Sequence, residues 1–188
     1  MKQRFENLPD IVTRLAISGS EQAYRELFDL LYIPVKDFAF CILRSNEEAE
    51  EISEDVLISL WNNRKKLPEI ENVHVYALVI AKNLSLNLLK KNSKTKTSSI
   101  DEVDMNFFFD GSSPEQIIID EELKKRLENA IQSLPPRCQF VFKLAKENNL
   151  SYKEIGQILS ISAKTVDAHL VAATQKLAKI FKSEFQIK

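Results

Sequence analysis

Tyr76, Asn83, Asn87 and Lys90 are spaced so that they return to nearly the same angle on an α-helix. A ring, two amides and a cation on one face suit nucleic acid. The ring stacks on a base, the amides bond base edges, and the ammonium meets phosphate. A plain polar face accounts for the same residues equally well. A second set lies in SYKEIGQILSISAKTVDAHL, residues 151–170. Ser162 and Thr165 at a helix start can bond phosphate, helped by free amides there. Lys164 can reach phosphate or base. Ala168, Val171 and Ala172 suit thymine methyls, and Asp167 can accept from a cytosine amino group or repel phosphate. No arginine is available for a bidentate guanine contact. The third set is EEAEEISEDVLISLW, residues 47–61, with six carboxylates within nine residues. On a helix Glu47, Glu50, Glu51, Glu54 and Asp55 cluster on a face, while Ile52, Val56 and Leu60 turn inward. This is either a solvated face or a docking surface for a basic partner, and it cannot face DNA.

Other chemistries find little support. Cys41 and Cys138 lack CxxC spacing and read as buried free thiols. His74 and His169 are isolated, so no metal site is expected. There is no nucleophile–base set and no phosphate loop, and the chain is expected to be neither an enzyme nor a cofactor binder. Only three glycines occur among 188 residues.

Apolar residues recur at three-and-four spacing, which predicts an all-α chain. One helix begins after Ser20 and reaches about Ile33, where Pro34 interrupts or ends it. VKDFAFCILR is a second. A third starts with Ser45 as cap and Glu48 at capping-box spacing, and runs to about Lys65. A fourth covers Val73 to Lys91. Residues 93–114 are rich in Ser, Thr, Asp and Lys and read as a flexible linker. Phe107, Phe108 and Phe109 are expected to tack it onto a neighbouring surface. Ser113-Pro114-Glu115-Gln116 opens a helix to about Leu134. Pro135-Pro136 starts another, to about Glu147, stopped by Asn148-Asn149. Ser151 and Glu154 form a further capping box. It opens a short helix, with Ser160-Ile161-Ser162 as turn and Val166, Leu170, Ala173, Leu177 and Ile180 as the buried stripe of the next helix. That order and spacing predict a helix-turn-helix, whose outer face and second-helix N-terminus enter the major groove.

Two small helical domains follow, residues 1–92 and 115–188. The net charge is −1, unlike a protein that holds DNA unaided. Residues 115–188 nevertheless carry 12 basic against 9 acidic groups. The N-terminus lacks the apolar stretch of a signal peptide, and a cytoplasmic location is expected.

Taken in order, AEEISEDVLISLW, NVHVYALVIAKNLSLNLLKK and LPPRCQFVFKLAKENNLSYKEIGQILSISAKTVDAHLVAATQKLAKIF resemble the extracytoplasmic-function group of bacterial sigma-70 factors, over roughly residues 20–181. The resemblance implies a region 2-like domain over 1–92 that binds core RNA polymerase and the −10 element. It implies a region 4-like domain over 115–188 that reads the −35 element. Glu50, Glu51, Glu54, Asp55, Leu57 and Trp61 then lie on or beside the polymerase-binding surface. The segment Glu71 to Lys91 captures unstacked −10 bases, with Asn72, His74, Tyr76, Lys82, Asn83 and Asn87 as the residues carried over. Arg137 falls where the family often meets DNA backbone, and Ser162 to Ala172, His169 included, match the −35 reader. Partners implied are core polymerase, promoter DNA and an anti-sigma factor. Departures are Asp167, Ala168 and Ala172, where the family often carries Arg or Lys. The tryptophan often found near the start of the −10 helix is also absent, with Tyr76 the nearest aromatic. The helix-turn-helix alone is equally similar to LuxR-type regulators, which remain the second reading. A third is a helical adaptor whose acidic helix binds a basic protein.

Overall fold

The computed structural model describes residues 5–92, 121–147 and 150–185. The expected linker with Phe107–Phe109, the Ser113 cap and the Asn148-Asn149 stop lie outside the described residues. Among the described residues there are helices and no strand. They divide into two compact helical units, the first holding α1–α4 together with Gln157–Ser160, the second holding α5, α6, the first part of α7 and α8, whose ranges follow.

Helix α1, Leu8–Ser18, opens with a proline in its first turn and buries Leu8, Ile11, Val12 and Leu15. Gly19 closes it at φ 58°, its N–H donating to the Leu15 carbonyl at 3.0 Å. Arg14 ties α1 to the next helix. Its guanidinium donates to both Glu26 oxygens, at 3.2 and 2.5 Å, and to Asp10 at 2.8 Å. The hydrogen bond from Arg14 holds the Glu26 carboxyl below the usual carboxylate range. The pair is only half-buried and water screens it, so it fixes direction more than it stabilises.

Helix α2, Glu21–Leu43, is capped by Ser20, whose Oγ accepts from the Ala23 amide. It continues unbroken past Pro34, where the sequence pattern predicted an interruption or an end. An internal proline costs roughly 3 kcal/mol. Leu27, Leu31, Val35, Phe38, Ala39 and Ile42 are all buried on the same helix, and each large apolar side chain contributes about 1.5–3 kcal/mol. Packing outweighs the lost hydrogen bond.

Helix α3, Asn46–Asn62, is capped by Ser45 Oγ, which accepts from the Glu48 amide at 3.2 Å. Only this half of the expected box forms. The Glu48 carboxylate instead accepts from Asn92 at 3.0 Å, at the far end of the unit. The chain does not continue helical to Lys65 but tightens into a 3-10 turn, Arg64–Glu69, with Leu67 fully buried. Ser53 is buried between helices and donates to the Tyr32 carbonyl. Helix α4, Val73–Asn92, packs on α2 and α3 and completes the unit.

In the second unit, α5 spans Glu121–Gln132 and α6 spans Pro136–Glu147. Gln139 N–H bonds the Pro135 carbonyl at 3.0 Å, so the double proline starts α6 as expected. Helix α7, Tyr152–Leu159, and α8, Ala163–Phe185, follow. Ala130, Ile131, Leu134, Cys138, Ala173 and Leu177 form the central cluster, with Phe142, Ile180 and Phe181 against it.

Candidate functional site

Three surfaces carry the residues singled out above. On α3, Glu47, Glu50, Glu51, Glu54 and Asp55 are all exposed. Glu50 pairs with Lys36 of α2 at 3.1 Å, which raises the lysine's pKa. Leu57 is not part of this surface: at 1% exposure it belongs to the core. The apolar residue on the acidic face is Ile58, 52% exposed, one turn beyond Glu54. Its register was legible, since offsets of four and seven from Glu54 and Glu51 repeat on a helix. Trp61 is half-buried. Tyr24 meets its ring edge-on at 5.1 Å, and Arg64 covers it at 4.4 Å while donating to the Trp61 carbonyl.

On α4 the predicted residues separate into two groups. Asn83, Asn87 and Lys90 are exposed and Tyr76 is half-buried, so the polar face exists. His74 and Lys82 are mostly buried, and burial lowers the Lys82 pKa. His74 stacks on Phe5 instead, ring centroids 4.3 Å apart and planes at 16°. Asn72 caps α4, its side-chain oxygen accepting from the Val75 amide at 3.1 Å. Phe5 carries no motif and was missed. Only contact across the fold reveals it.

The helix-turn-helix is built as its caps predict. Ser151 Oγ accepts from the Glu154 amide, and the Glu154 carboxylate accepts in return from the Ser151 amide and hydroxyl, both at 2.7 Å. This reciprocal box starts α7. Gly156 lies where a Cβ would stand 2.7 Å from the Ile161 carbonyl oxygen, so the turn closes over a bare backbone. The Ile161 amide bonds the Gly156 carbonyl at 3.0 Å. Ser160 turns the chain at φ 59°. Ser162 Oγ then accepts from the Thr165 amide at 3.0 Å and shares a 2.8 Å hydrogen bond with the Thr165 hydroxyl. Val166, Leu170, Ala173 and Leu177 are buried, while Lys164, Asp167, Ala168, Val171 and Ala172 face out. Ile161 of the turn is half-buried, as is Ile180, which was expected in the buried stripe.

His169 departs from that outward set. Its Nδ1 lies 3.5 Å from Cys138 Sγ on α6. Burial, then the charge of Arg137, lower its pKa, and burial raises that of the Cys138 thiol. Arg137 is half-buried at the start of α6, and burial lowers its pKa too.

Two family models match the chain. "Sigma-70 region 2" covers residues 27–95, which hold the acidic helix and α4, and "Sigma-70, region 4" covers residues 124–177, which hold the helix-turn-helix. The chain is similar to the ECF RNA polymerase sigma factor SigW of Bacillus subtilis, 23% identical over 168 residues, covering 86% of this chain and 90% of that protein. It is also similar to the ECF sigma factor SigE of Mycolicibacterium smegmatis, 24% identical, covering 86% of this chain and 61% of that one. The chain belongs to the extracytoplasmic-function group of sigma-70 factors. Among solved structures, CnrH in complex with the cytosolic domain of CnrY shares the fold of this sigma factor. The TM-score is 0.58 and the identity 15%, over 93% of this chain and 97% of that one. Region 2 in the first half is what a LuxR-type reading cannot supply, and that reading is not favoured. The family acts as a transcription initiation factor with RNA polymerase and promoter DNA. No helix among the described residues is long and apolar enough to cross a membrane.

Proposed function

We propose that this sigma factor works as a two-part promoter clamp whose DNA affinity depends on core polymerase. The observation that carries the reading is the thin cationic character of the −35 face. Along the exposed face of α8 from Ser162 to Ala172, Lys164 is the single lysine or arginine, and Asp167 stands one turn away. Such a face releases few counterions from DNA and binds weakly alone. The remaining affinity comes from tethering: docked on one assembly, two weak sites act at high effective concentration.

In this reading the acidic face of α3, with Ile58 at its C-terminal end, docks on a basic surface of core polymerase. Asn72, Tyr76, Asn83, Asn87 and Lys90 hold unstacked −10 bases, and preferential binding of the melted strand draws the promoter open. Ser162, Lys164, Thr165 and Arg137 hold the −35 backbone, while Asp167, Ala168, Val171 and Ala172 meet base edges. The domain limits 1–92 and 115–188, and a location in the cytoplasm, belong to the same proposal. An anti-sigma factor that covers these faces fits it as well. The neighbouring fold was solved bound to a cytosolic domain of another protein, CnrY.

The test is in vitro transcription with core polymerase and a promoter library, beside a mobility shift of the free chain on the selected promoters. Start sites that depend on the chain, with negligible shift by the chain alone, are expected. Strong, specific duplex binding by the free chain refutes the clamp. Charge reversal of Glu51, Glu54 and Asp55 to Lys separates docking from DNA reading: polymerase pull-down is lost while the helix content stays.

A further inference from the structure

Irregular backbone leads into the start of α4. Ile70, Glu71 and Asn72 connect the 3-10 turn Arg64–Glu69 to α4, and Glu71 is exposed. Both ends of this connection are anchored. Ile70 N–H bonds the Leu67 carbonyl at 3.0 Å, and Leu67 is fully buried in the turn that α1 packs against. At the other end Asn72 caps α4 through Val75, and Tyr76 N–H bonds the Asn72 carbonyl at 3.0 Å. His74 lies between these two anchors' partners. At 3% exposure its ring cannot receive a base, and its flat face is taken by Phe5, which precedes α1.

We infer that Phe5 and His74 are positioning residues for −10 capture. The stack between them pins the first turn of α4, and with it Glu71, Asn72 and Tyr76, in the conformation that receives an unstacked base. The inference rests on the −10 assignment above. Its physical basis is preorganisation. Fixing a residue's backbone costs conformational entropy, and a loop already held in its bound form does not incur that cost on binding. A stacked aromatic pair joins the N-terminal segment to the reader, so Phe5 and the α1 that follows it act on base capture without touching DNA.

The experiment uses the full chain assembled with core polymerase. The probe is a pool of short single-stranded DNA with randomised centres, from which wild-type holoenzyme selects its preferred non-template sequences. Selected and scrambled strands are then titrated against Phe5→Ala, Phe5→Leu and Phe5→Tyr. Phe5→Ala and Phe5→Leu are expected to lose about three- to tenfold affinity for the selected strand. Discrimination against scrambled strands should shrink in parallel, while affinity for the selected −35 duplex stays. Phe5→Tyr, which keeps the ring, should stay within about twofold of wild type. Thermal unfolding of Phe5→Leu controls for folding. Unchanged discrimination in Phe5→Ala overturns the inference alone, as does full rescue by Phe5→Leu, because apolar burial and not stacking is then what counts. A wild-type holoenzyme that prefers no single strand overturns the −10 assignment and this inference together. Adding Asn83→Ala and Asn87→Ala to the series separates the cases: they test contact, and Phe5 tests positioning.

Discussion

Gly156→Ala is the sharpest test of how the helix-turn-helix is closed. On an isolated helix the change favours folding, since alanine is better than glycine by about 1 kcal/mol. Here the added Cβ would stand 2.7 Å from the Ile161 carbonyl oxygen, against 3.4 Å for the onset of ordinary contact, so something must give by roughly 0.7 Å. The obstructing atom is backbone, and the Ser162 and Ala163 backbone lies just behind it at 3.7 and 3.6 Å. No side-chain rotation can relieve the overlap. Overpacking of this kind costs about 1–3 kcal/mol, so the net change is a destabilisation of up to about 2 kcal/mol after the helix gain. For a unit of this size that lowers the unfolding midpoint by up to about 10–15 °C. The displaced atoms belong to the turn that presents Ser162 and the N-terminus of α8. Affinity for a −35 duplex, measured with holoenzyme, should therefore fall more than stability alone explains. A variant that melts later than wild type and binds the duplex unchanged refutes the close approach.

Three further outcomes follow from single contacts. Gly19→Ala meets only an ordinary contact, Arg64 Nε at 3.7 Å, so its cost is the left-handed φ, about 1 kcal/mol, read by chemical denaturation. Ser151→Ala removes one side of the reciprocal cap on α7 and should cost about 1 kcal/mol, with Glu154→Ala giving a similar loss and the double variant less than the sum. His169 is held below the ordinary imidazole pKa by burial and by Arg137. The unfolded chain then binds this proton first as pH falls, so the stability present above about pH 6.5 declines below it. His169→Gln should flatten that part of the profile in thermal melts, and an unchanged slope argues against the inward placement.

The caps and the helix-turn-helix were legible because their signals are local. Ser45, Ser151 and Ser162 each hold an amide three residues on, as their spacing predicts. Helix α1 was equally legible in Leu8, Ile11, Val12 and Leu15, with Pro9 in its first turn and Gly19 at its end. Pro34 misled because its local cost is real, while the burial that overrides it comes from other helices. The candidate site divides the same way. Exposure of Asn83, Asn87 and the α3 carboxylates follows from helical register. The partners of His74 and His169 do not: Phe5 and Cys138 lie far away in sequence, and only the fold brings them to those rings.

The alternation along α8 has a consequence for divergence. Val166, Leu170, Ala173 and Leu177 answer to the interior, while Lys164, Asp167, Ala168, Val171 and Ala172 answer only to what lies outside. Substitutions at these outward positions leave the interior unpaired with them and add nearly independently for stability. In the clamp reading, one scaffold can thus be recoded for new promoters by changes at a few outward positions. In that reading these five positions are also where an engineer would install an orthogonal −35 preference.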